Sequence, residues 1–159
     1  MAVSLRIINK NKNDKNIPIY EEATQYFMGD LLTRKKKRIN DNVVRIDVKI
    51  NAVMGDEGEC FTRTLKDNSI IIRIKFSNNM SFPEKLVALR HECVHAKQFM
   101  VGELEIIEKS FKWKNKTYND IKTTGATYHS YPWEKEAYKK QKRLAVKFIN
   151  FYLSKKNFS

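Results

Sequence analysis

At 159 residues, with 42% hydrophobic content, nine Phe and seven Tyr, the chain is long and apolar enough for one domain with a buried core, which argues against disorder. No run approaches the ~20 apolar residues of a membrane helix, and Met1–Lys12 lacks a signal peptide's apolar stretch, so a cytoplasmic protein is expected. The net charge of +13, from 31 Lys+Arg against 18 Asp+Glu, makes nucleic acid a candidate partner, although the basic residues are dispersed and no nucleic-acid-binding motif is visible.

In chain order, Ser4–Ile8 reads as a short strand and Asn9–Asn16 as a polar connection. Ile17–Leu32 carries Pro18 early and Ala23, Phe27 and Leu31 at helical spacing. The one dense basic cluster, Arg34-Lys35-Lys36-Lys37-Arg38, falls in an expected loop. Val43–Ile50 alternates Val44, Ile46, Val48 and Ile50 against Arg45, Asp47 and Lys49, the pattern of a half-buried strand. Gly55–Gly58 marks a turn, Cys60–Leu65 a weaker strand, Lys66-Asp67-Asn68 a second turn, and Ser69–Ser77 the strongest strand. Phe82–Val101 reads as a helix with Ser81 as N-cap, Pro83 and Glu84 in its first turn, and Gly102 as C-cap. Asn115, between Phe111-Lys112-Trp113 and Lys116-Thr117-Tyr118, suggests a β-hairpin. Asn119–His129 reads as irregular, and Pro132 opens a last helix from Trp133 to about Leu153. With no repeat and no linker rich in Gly, Pro or Ser, residues 1–159 form a single domain. Cys60 and Cys93 are the only cysteines, too few for a disulfide framework and consistent with a reducing compartment.

The chemistry concentrates at His91-Glu92-Cys93-Val94-His95. On a helix, residues four apart share a face, so both imidazoles can reach one metal ion. Zinc suits such nitrogen ligands and keeps a position open for water. Glu92, about 100° around the helix from His91, can then take the proton of that water without being a ligand. Helical winding places Ala88, His91, His95 and Gln98 on one stripe, and Leu86, Leu89, Cys93, Ala96 and Met100 on the opposite, core-facing one.

Two histidines leave a catalytic site one ligand short. Nearby candidates are His129, Glu134 and Glu136. In the last helix Ala137, Tyr138, Gln141, Leu144, Ala145, Phe148 and Tyr152 lie within about 80° of Glu134, whereas Glu136 is roughly 200° away. The winding therefore points Glu134 inward, as the third ligand, and Glu136 toward solvent, where Lys139 or Lys140 can pair with it.

His91–His95 followed by Glu134-Lys135-Glu136-Ala137 resembles the gluzincin pattern, H-E-x-x-H with a downstream E-x-x-A, and is similar to minigluzincins and compact phage or bacterial zinc metallopeptidases. The resemblance spans Phe76 to about Arg143. It implies an α+β, zincin-like domain: a short mixed or antiparallel sheet, an active-site helix and a C-terminal helix. It further implies a zinc peptidase with His91, His95 and Glu134 as metal ligands, Glu92 as general base and a peptide or protein as substrate. It makes Ser69–Ser77 an antiparallel edge strand beside the cleft, open to an extended substrate. Many gluzincins carry Asp or Asn after the alanine to orient a zinc histidine; Tyr138 stands there instead, so that support must come from elsewhere. Tyr128 and Tyr131 precede Glu134 closely, and Tyr131 is the candidate to offer a phenol to the oxyanion. Two alternatives complete the expectations. One is a DNA-associated, SprT-like protease, suggested by the charge, with His129 as third ligand; the other is a zinc-stabilised structural or binding protein, for instance of a phage particle.

Overall fold

Isoleucine-rich strands in the first half of the chain join into one mixed sheet. β1 (Ser4–Asn9), β2 (Val43–Ala52) and β4 (Ile70–Ser77) run parallel, while β3 (Gly58–Thr64) pairs antiparallel with β4, giving the order β1-β2-β4-β3. α1 (Ile17–Leu32) makes the crossover that parallel neighbours such as β1 and β2 require. The computed structural model describes residues 4–9, 15–32, 43–52, 58–64, 66, 70–77, 80–122 and 125–157. The basic cluster Arg34–Arg38, Gly55 to Glu57, and Asp67-Asn68 lie outside them.

Two strand expectations need correction. Ser69–Ser77, expected at the sheet edge, corresponds to β4, which is interior and hydrogen-bonded to β2 and β3; the antiparallel edge strand is β3. Ile71, Ile72 and Ile74 are all buried, which accounts for a nearly continuous apolar run where an edge strand would alternate. Likewise Asp47, expected on a wet face of β2, is only 2% exposed and lies 4.0 Å from Arg73 of the neighbouring strand.

α2 (Phe82–Met100) starts at a reciprocal cap: the Glu84 amide donates to Ser81 Oγ at 3.4 Å, and the Ser81 amide to Glu84 Oε2 at 2.7 Å. It stops where Gly102, at φ +72, donates to Phe99 O and Glu103 donates to Gln98 O, a Schellman closure that favours glycine. Every residue from Glu92 to Met100 is buried. The ligand face is therefore covered too, because α2 lies among β3, β4, α1 and α4.

α4 (Pro132–Asn157) closes that face and runs past the expected end near Leu153. In chain order between the two helices comes a second sheet, β5 (Leu104–Ile107), β6 (Ser110–Trp113) and β7 (Lys116–Tyr118), one strand more than the expected hairpin. Lys114 and Asn115, at φ 45 and 72, make the two-residue β6–β7 turn. Part of the stretch expected to be irregular forms a short helix, α3 (Gly125–Ser130). The fold is α+β, and one contiguous core joins α1, α2, α4 and both sheets. Among the described residues no helix is long and apolar enough to cross a membrane.

Candidate metal centre

His91 and His95 project from the same side of α2, and the first turn of α4 brings Glu134 against both. His91 Nε2 lies 3.0 Å from Glu134 Oε2, His95 Nε2 lies 3.0 Å from Glu134 Oε1, and the two Nε2 atoms are 3.1 Å apart. Two atoms bound tetrahedrally to one zinc at its usual ~2.0–2.1 Å are about 3.3 Å apart, so the three groups already stand at nearly the separation that one small cation would impose. The donor set is two imidazole nitrogens and one carboxylate oxygen, which suits zinc and other first-row divalent ions. The residues fit the group.

Electrostatics point the same way. Burial disfavours a charged His95, but its bonds to Glu134 and the nearby carboxylate of Glu92 outweigh burial and raise its pKa to about 9. Burial would raise the Glu134 carboxyl, yet His91, His95 and Tyr128 hold it well below the usual carboxylate range. Two carboxylates thus create a demand for positive charge, which a proton on His95 meets and which a divalent ion would also meet. Glu92 is 5% exposed, and besides His95 its charge adds to the burial that pushes up the pKa of the Tyr128 phenol and the Cys93 thiol.

Amides hold the rings. Gln141 Oε1 lies 3.1 Å from His91 Nδ1, and Gln98 Oε1 lies 2.8 Å from His95 Nδ1. These two glutamines fill the orienting role that Tyr138 leaves open; Tyr138 itself lays its ring 4.6 Å from that of His91. A signal for both was present in the sequence: Gln141 is the polar residue on the inward-facing stripe of the last helix, and Gln98 shares the stripe of His91 and His95.

His91, His95 and Glu134 come together in one cluster, and the Glu92 carboxylate acts on His95 from nearby. Three other expectations do not hold. Tyr131 points its hydroxyl at the Lys122 amide, 3.0 Å away, and stacks on Trp133 at 4.6 Å and 9°; Tyr128 is the phenol that hydrogen-bonds Glu134. His129 is exposed, outside the cluster, with Nδ1 2.9 Å from the Tyr138 hydroxyl. Glu136 does not turn to solvent. Besides Lys140 at 3.5 Å it meets Lys97 of α2 at 2.9 Å, and Lys97, itself 1% exposed, also binds Glu103 at 2.6 Å. Lys97 was the missed residue: a single lysine between Ala96 and Gln98 gives no hint that two acidic partners surround it.

No family model, no curated protein and no solved structure matches the chain.

Proposed function

We propose that the chain is a zinc-dependent peptidase that hydrolyses peptide bonds, with His91, His95 and Glu134 as the metal ligands and Glu92 as the general base. The observation that supports this best is the convergence of two histidines and a glutamate, from separate helices, beside a buried glutamate that zinc binding alone does not require. When bound, the metal supplies a Lewis acid that polarises the substrate carbonyl and acidifies a water. The protein does the rest. Glu92 accepts the proton from the attacking water and can return it to the leaving amine. Gln141 and Gln98 keep both imidazoles aimed, and Tyr128 helps keep Glu134 ionised and oriented. β3, the antiparallel edge strand next to α2 among the described residues, is where an extended peptide would add a strand through main-chain hydrogen bonds. The free thiols Cys60 and Cys93 support a cytoplasmic setting.

The test is a proteome-derived peptide cleavage screen with metal analysis, on wild type and Glu92→Gln. Wild type should carry about one zinc per chain and cleave. Glu92→Gln should keep the metal and lose roughly 10²–10⁴-fold in rate, because an amide cannot take the proton. Equal cleavage by both proteins would refute the peptidase reading.

A further inference from the structure

Gln98 sits three residues beyond His95 on α2 and is completely buried. Its Nε2 donates to the main-chain carbonyl of Trp133 at 3.0 Å, and more weakly to Glu136 Oε1 at 3.4 Å. A main-chain carbonyl can only accept, so the amide cannot be turned over without burying two acceptors against each other. Its oxygen must therefore face His95 Nδ1, 2.8 Å away. An amide oxygen only accepts as well, so Nδ1 carries the hydrogen and Nε2 is the nitrogen directed at Glu134 and His91. The contact of Gln141 with His91 fixes no amide orientation in this way.

Trp133 immediately precedes Glu134. One side chain thus selects the tautomer of one histidine and holds the main chain one residue ahead of the carboxylate. Lys97, next to Gln98, grips the same turn through Glu136. We propose that Gln98 is a positioning residue of the metal centre that works from both ends: it keeps His95 in the Nδ1–H form and seats the first turn of α4, so that Glu134 meets the histidines. The proposal rests on the metal reading above.

Two variants separate the two tasks. Gln98→Met has nearly the same length and performs neither. Gln98→Glu keeps an acceptor for His95 but cannot donate to Trp133 and places a carboxylate beside Glu136. Zinc affinity is measured by competition with a chromogenic chelator, and the Nδ1–H to Gln98 bond by the shift and exchange rate of the His95 ring proton in NMR of the metal-free protein at pH 6.5, where Nε2–H faces Glu134. Gln98→Met should bind zinc roughly 10–100-fold more weakly than wild type and lose the slowly exchanging Nδ1–H proton of His95. Gln98→Glu should retain that proton and lose less affinity than Gln98→Met.

Wild-type affinity in Gln98→Met, or an unchanged Nδ1–H proton of His95 there, overturns the proposal. If Gln98→Met fails to fold, Gln98→Glu decides alone: loss of the protected Nδ1–H proton overturns it. A wild-type chain that binds no zinc refutes the metal reading instead, and the ring-proton measurement on the metal-free protein still judges Gln98.

Discussion

α2 and α4 supply the same centre by different means. α2 presents His91 and His95 through spacing alone, because any helix over these residues puts them one turn apart on one face. α4 presents Glu134 through tertiary contacts: its first turn is fastened to α2 by Gln98 at the Trp133 carbonyl and by Lys97 at Glu136. One half of the site is a property of local structure and the other of tertiary contacts. The two halves should therefore fail differently when perturbed.

The largest effect should come from the ligands themselves. His91→Ala and His95→Ala should lose zinc, and Glu134→Ala should lower its affinity strongly. The metal-dependent rise in melting temperature should vanish in both histidine variants, because the ion joins α2 to α4. Full zinc occupancy by elemental analysis in either histidine variant would dissolve the centre altogether. Retention of wild-type affinity in Glu134→Ala would dissolve only the contribution of α4.

Next in size is the fastening. Lys97→Met removes a buried cation from between Glu103 and Glu136, whose side chains are 12% and 17% exposed. Leaving two partly buried carboxylates without it should cost about 3 kcal/mol, the lower end of the range for breaking a buried pair, since both retain some solvent. Urea denaturation of the metal-free protein reads this cost. Zinc affinity should fall as well, since the turn that carries Glu134 loses one of its ties to α2. If stability falls and affinity does not, the Lys97 contact does not help to seat Glu134. If neither moves, the ion network has no structural role.

How much was legible follows the same division. Ser81, Glu84 and Gly102 announced both ends of α2, and the histidine spacing announced that two imidazoles share one face, since each is a rule about residues within a few positions of one another. Glu134 was legible because a 26-residue amphipathic helix reports which way its first turn faces. Glu136 was misread by the same wheel: an angle separates inward from outward but cannot reveal that Lys97 of another helix covers the outward side. β4 was misplaced at the edge for a related reason, as pairing order within a sheet is a long-range property and its apolar run fits an interior place equally well. Tyr131 and Tyr128 lie three residues apart, and only the path of α3 decides which phenol meets Glu134.

The smallest expected effect is a pH dependence that tells the bare site from the loaded one. In the metal-free protein the His95 pKa is raised from the ordinary 6.5 to about 9 by Glu134 and Glu92, against the opposing effect of burial. A pKa raised by folding stabilises fully below the unfolded value, and the contribution is lost as pH rises through the folded one. Between pH 6.5 and 8 the metal-free protein should therefore lose about 1.5 kcal/mol, a drop of roughly 3–6 °C in melting temperature for a chain of this size. Glu134, whose pKa is depressed, stays ionised throughout that window and adds no slope of its own. With zinc bound, the ion takes the place of the proton on Nε2, so that loss disappears and binding tightens as pH rises. The melting-temperature gap between zinc-loaded and metal-free protein should accordingly widen from pH 6.5 to 8. A gap that stays flat across that window would mean that proton and metal do not compete for His95, and the convergence on Glu134 would then be an ion pair rather than a metal site.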